Sequence, residues 1–124
     1  MTLRRLPIVL VIAGIAAAGR AGAQDAAAGA ATFKAQCAIC HAVTPDKNQV
    51  GPSLFGIIGR EAGTAPNFKY SNANKTSGIT WDEAKLDPYL TNPRAVVPGT
   101  IMTFPGLKDP QQRADVIAYL ETLR

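Results

Sequence analysis

The chain has 124 residues, 47% of them hydrophobic and 18% charged, with a formal net charge of +4; that length bounds it to one domain. Three of the basic residues, Arg4, Arg5 and Arg20, lie within the first 23 positions, and from Gln24 onward ten basic residues stand against nine acidic ones. The balance, with no basic cluster interleaved with aromatics, excludes a nucleic-acid binder and leaves electrostatic steering to the local placement of lysines.

Residues 1–23 read as a cleaved secretory signal. Arg4 and Arg5 form a basic head, Leu6 to Ala18 is apolar, and Ala21-Gly22-Ala23 is an A-x-A cleavage site that leaves Gln24 first. The apolar run is too short and too rich in Ala and Gly for a membrane span; a retained N-terminal anchor is the alternative. Export places the domain, residues 24–124, in the periplasm as a monomer with no stable membrane insertion. A mature chain of this size has a thin core of its own. Few aromatics and many Ala and Gly suit a fold completed by a large apolar cofactor.

Asp25 to Gln36 is Ala-rich and reads as a helix, with Asp25 as its cap and Phe33 as its large apolar contact. Gly29 inside it is unfavourable by propensity, which a close helix crossing would explain. Next comes Cys37-Ala38-Ile39-Cys40-His41, holding both cysteines and the only histidine. C-x-x-C-H is the attachment signature of c-type haem. On a helical turn, residues three and four apart share a face. Cys37 and Cys40 can then add to the two vinyl groups of one porphyrin, and His41 can reach the iron.

Val43 to Gly63 is broken too often by Pro and Gly for regular structure. Ser71 to Ser77 reads as a short helix capped by Ser71 and stopped by Gly78. Thr80-Trp81-Asp82-Glu83 reads as a capping box for a further helix, ending before Pro93. Pro88 falls inside it and predicts a kink, or a restart with Asp87 as cap. The run Val97 to Gly106 reads as an ordered loop and carries Met102. Met1 falls in the export signal, so Met102 is the one good thioether for the sixth iron position. A soft thioether favours ferrous iron and raises the potential. Asp109-Pro110 opens the last helix, cap then first position. Ala114, Ile117, Leu120 and Leu123 form its core stripe.

These motifs resemble the class I c-type cytochromes, of the bacterial cytochrome c2 and mitochondrial cytochrome c branch. The resemblance rests on C-x-x-C-H together with Gly51-Pro52-Ser53-Leu54, Tyr70-Ser71-Asn72-Ala73, Thr80-Trp81, Tyr89-Leu90, Asn92-Pro93, Pro98-Gly99-Thr100-Ile101-Met102 and Ile117-Ala118-Tyr119-Leu120. It implies an all-α fold of three main helices plus short helices and loops around one covalent haem c. It implies thioethers at Cys37 and Cys40, and His41 and Met102 as axial ligands. The Pro52 carbonyl would accept from the His41 ring and orient it. Arg60, Tyr70 and Trp81 would hold a buried propionate, with Asn74 a polar residue on the haem side. Tyr89 would donate its hydroxyl toward Met102, and Gly29 and Phe33 would meet the last helix near Tyr119.

The function implied is a soluble one-electron carrier rather than an enzyme. It would dock at the haem edge with a bc1-type complex, a terminal oxidase, a reaction centre or a dehydrogenase of a respiratory or photosynthetic chain. Lysines near the edge would steer it, although this chain has far fewer than mitochondrial relatives. The alternative is a haem protein whose open sixth site binds a gas or peroxide. A thiol–disulfide oxidoreductase lacks the βαβ context it needs, and structural zinc lacks a fourth ligand.

Overall fold

In a computed structural model, residues 23–124 are described. The expected signal, 1–23, lies outside the described residues except for Ala23. The described chain is all-α: α1 Ala26–Gln36, α2 Asn72–Lys75, α3 Glu83–Thr91, α4 Pro93–Val96 and α5 Pro110–Glu121. Three are main helices and two are single turns. A lone antiparallel bridge joins Glu61 to Thr80.

The caps follow from short polar side chains that accept the orphan N–H groups of a first turn. Asp25 accepts from Ala27 and Ala28, Ser71 from Asn74, and Asp109 from Gln111 and Gln112. At α3 the expectation fails. Its cap is Asp82, which accepts from Lys85 N at 2.8 Å, not Thr80. The backbone at 79–81 is already committed elsewhere. Ala62 N donates to Ile79 O, Gly59 N to Trp81 O, and Trp81 N to Arg60 O. Those bonds hold the segment extended, so the cap falls one residue after Trp81 and the helix starts at Glu83.

Pro88 brings a second correction: α3 runs unbroken through it, with no restart. Asp87 does not cap; its carboxylate pairs with Arg113 of α5 at 2.9 Å. Pro88 and Ala84 are both exposed. They stand four apart on one helix face, so the carbonyl that loses its partner faces water. An interior proline still costs ~3 kcal/mol.

The α1–α5 crossing sets the frame. A Cβ on Gly29 would collide with the Asp115 carbonyl and stand 2.9 Å from Val116 N, so only glycine permits the approach. Phe33 packs on Tyr119 with ring centroids 5.4 Å apart. Phe33 thus meets α5 where expected, and Gly29 meets it a turn earlier. Asp115, nearly fully buried, accepts from Asp25 N at 2.9 Å and Gln111 Nε2 at 2.8 Å. This pins the start of α1 to α5. Ile117 and Leu120 of the expected stripe are buried, while Ala114 and Leu123 are only half-buried.

Candidate functional site: one cavity that gathers the cysteines, the histidine and a methionine

α1 ends at Cys37, whose N–H still donates to Phe33 O. The chain then closes a turn in which Cys40 N and His41 N both donate to Cys37 O, at 3.1 and 3.0 Å. This turn brings Cys37, Cys40 and His41 to one cavity of about 470 Å³, a size suited to enclosing a cofactor. The ten residues singled out from the sequence all line it: Cys37, Cys40, His41, Pro52, Arg60, Tyr70, Asn74, Trp81, Tyr89 and Met102.

The two cysteines are not joined in a disulfide. Burial, with Cys40 nearby, pushes the Cys37 thiol up to about 11. His41 Nδ1 lies 2.8 Å from the Pro52 carbonyl. A carbonyl only accepts, so Nδ1 carries the proton and Nε2 keeps its lone pair. Burial lowers the His41 pKa below 6.5, and the Pro52 bond opposes this in part; the imidazole is therefore neutral, the form that binds metals. Gly51, by sequence one of several turn breakers, has a second role here. A Cβ there would stand 2.6 Å from His41 Nδ1. Its absence lets the ring rest on backbone, and Gly51 N donates to Cys40 O at 2.8 Å.

Met102 sits in an extended run where burial alternates from Ile101 to Gly106, as successive side chains point to opposite sides. The run is not a featureless loop: Met102 and Phe104 turn inward. Tyr89, buried on α3, donates its hydroxyl to Met102 Sδ at 3.5 Å. Thr100, unremarkable by sequence, stands beside both. Its Oγ1 accepts from Met102 N at 3.2 Å, and its side chain lies close enough to the Tyr89 hydroxyl to lower that group's pKa in part. Spacing alone could not signal this, because Thr100 and Tyr89 come from different elements.

The polar part of the cavity is built from loops. Arg60 is drawn in rather than solvated: Nη1 donates to Ser53 O at 2.8 Å and Nη2 to Phe55 O. Tyr70 Oη accepts from Ala65 N at 3.0 Å, leaving its own proton to give. Trp81 is buried, its ring 4.6 Å from that of Tyr89. Asn74 Oδ1 is buried with no hydrogen-bond partner, and an orphaned polar atom of this kind calls for one. No lysine lines the cavity itself; exposed Lys69 and Lys75 adjoin its lining residues Phe68, Tyr70 and Asn74 in the chain.

Two thiols, a neutral imidazole, a thioether, apolar walls and an orphaned amide together fit a covalently held haem. The family model for cytochrome c matches residues 26–124. The chain belongs to the cytochrome c family. It is 58% identical over 101 residues to cytochrome c2 of Rhodomicrobium vannielii, covering 81% of this chain and 80% of that protein. Against cytochrome c of Guizotia abyssinica it is 48% identical over 102 residues, covering 82% and 92%. Among solved structures, cytochrome cH from Methylobacterium extorquens matches with a TM-score of 0.74 at 49% identity, over 79% of this chain and 98% of that one. As a cytochrome c the chain binds one covalent haem c and is an electron carrier, not an enzyme.

Proposed function

We propose that Cys37 and Cys40 hold the haem as thioethers, that His41 and Met102 are its axial ligands, and that the protein shuttles single electrons in the periplasm. The supporting observation is convergence: both cysteines, the only histidine and the only methionine after residue 1 line one cavity. When bound, the haem supplies a one-electron ferric–ferrous couple with an edge available to a partner. The chain's residues do the rest. Pro52 and Gly51 fix the His41 tautomer and ring plane. Tyr89 and Thr100 hold the Met102 thioether. Arg60, Tyr70 and Trp81 supply donors and a cation around a propionate, which a low-dielectric site requires, and Asn74 is a polar residue on the haem side.

His41 and Met102 would hold the haem in both oxidation states, so little would rearrange when the electron moves. Residues 1–23 would direct export and be removed, giving a soluble, monomeric carrier. Its donors and acceptors would be membrane complexes or dehydrogenases of a respiratory or photosynthetic chain. Met102→Ala tests the ligand assignment. The variant should keep its haem but bind exogenous imidazole or cyanide at the sixth position, where the parent does not. A parent protein that binds them as readily would contradict Met102 ligation and favour the gas- or peroxide-binding alternative.

A further inference from the structure

The run that carries Met102 ends at Gly106-Leu107-Lys108, and that end is fastened to the last turn of α3. A helix leaves its final carbonyls without partners, and here the run supplies them. Leu107 N donates to Leu90 O at 2.7 Å. Lys108 Nζ donates to Thr91 O at 2.7 Å and to Pro105 O at 3.2 Å. Gly106, at φ +116°, lies so close that a Cβ would strike the Thr91 carbonyl. One side chain then ties this joint to α3 and α5 together. Arg113 donates through Nη1 to Leu107 O at 3.0 Å and Lys108 O at 3.1 Å, and through Nε to Asp87 Oδ1 at 2.9 Å. A guanidinium can serve both sides because its donors fan out in a rigid fork. Asp87 stands two residues before Tyr89, whose hydroxyl meets the Met102 sulfur. Neither Asp87 nor Arg113 lines the cavity, so both reach it only through other residues.

We propose that Asp87 and Arg113 form a latch that keeps the Met102 sulfur at the iron, as positioning residues for the axial ligand. The inference rests on the haem-site reading above. A thioether is a soft, neutral ligand and suits ferric iron poorly, so in the oxidised protein the chain must hold the sulfur in place. Residues 102–106 have no helix or strand of their own to do so. Apart from the fastened end, their hydrogen bonds are Met102 N to Thr100 Oγ1 and the long contact from Tyr89. Arg113 closes the remaining gap, because its fork holds the run to the same helix that carries Tyr89. Its own side chain is 11% exposed, while that of Asp87 is 55% exposed. A pair that open to water adds little to global stability, so its effect is local and falls on the release of Met102.

Imidazole, at concentrations far above those that fill the open site of Met102→Ala, competes with the thioether in the ferric holoprotein. It binds only when Met102 is off the iron, so its apparent affinity reads the fraction of molecules in that form. The titration is followed in the visible spectrum, at a pH where imidazole is neutral. Asp87→Ala should tighten binding about twofold to fivefold at low salt, the range of an exposed pair. Added salt should move the parent toward the variant and leave Asp87→Ala unmoved, because only the parent has the pair to screen. Arg113→Gln, which also loses the bonds to Leu107 O and Lys108 O, should tighten binding about tenfold. Adding Asp87→Ala to Arg113→Gln should change it no further, since both act on one latch. A pair that only fastens α3 to α5 would lower the denaturant midpoint and leave imidazole affinity at the parent's value, and that result would overturn the proposal. A parent affinity that salt does not move would overturn it too. An iron–thioether band missing from the parent contradicts the haem-site reading, whereas a normal band with unmoved affinities contradicts only the latch.

Discussion

Replacing Tyr89 with Phe removes one hydroxyl and leaves the packing in place. The ring stays buried against Trp81, with centroids 4.6 Å apart. What disappears is the bond to Met102 Sδ at 3.5 Å. Sulfur accepts weakly and the contact is long, so it belongs at the lower end of the ~0.5–1.5 kcal/mol typical of a neutral hydrogen bond. An O–H donated to sulfur draws on the lone pairs that Met102 offers the iron. Ferric iron depends on that donation more than ferrous iron, so the bond favours the reduced state. If ~0.5–1 kcal/mol is felt in one oxidation state only, the midpoint potential falls by roughly 20–40 mV, at about 59 mV per tenfold change for one electron. A spectroelectrochemical titration of the variant beside the parent reads this directly. An unchanged or raised midpoint, with the thioether band intact, would refute the argument that this hydroxyl tunes the sulfur.

Gly29→Ala gains ~1 kcal/mol of helix propensity but drives a Cβ into the Asp115 backbone, where neither helix can yield cheaply. Overpacking costs ~1–3 kcal/mol or more, so thermal unfolding should show a lower midpoint by several degrees; an unchanged or higher one would mean the helices cross less tightly than described. Stability at alkaline pH follows from Tyr89, whose pKa burial raises above 10.0, with Thr100 lowering it in part. The unfolded chain therefore ionises first, and stability present below about pH 10 is lost as pH rises through the folded-state value. Denaturant titrations from pH 8 to 11 should show that loss, and Tyr89→Phe should lessen it.

Local chemistry carried most of the fold into the sequence. Asp25, Ser71 and Asp109 announce their helices because a cap is read within three residues. The site was legible for a similar reason: Cys37, Cys40 and His41 sit on one turn, and Met102 has no competitor after the export signal. What escaped depends on contacts between distant segments. Thr80 has the look of a cap, yet its segment is hydrogen-bonded to residues 59–62, so Asp82 takes the role. Asp87 resembles a restart signal before Pro88, but Arg113 of α5 claims its carboxylate. Gly51 reads as a turn until the His41 ring is seen lying on it. Asp115 carries no local signal of its role, since its partner is the N–H of Asp25, 90 residues away in the chain.

The most direct test of the central claim is the visible spectrum of the oxidised and reduced protein, exported with haem-maturation machinery, including the far-red iron–sulfur charge-transfer region. The account predicts haem that survives acid–acetone extraction, sharp low-spin bands on reduction, and a far-red band in the oxidised form that Met102→Ala abolishes. Extractable haem would contradict the thioethers at Cys37 and Cys40, and a high-spin spectrum without the far-red band would contradict Met102 as the axial ligand.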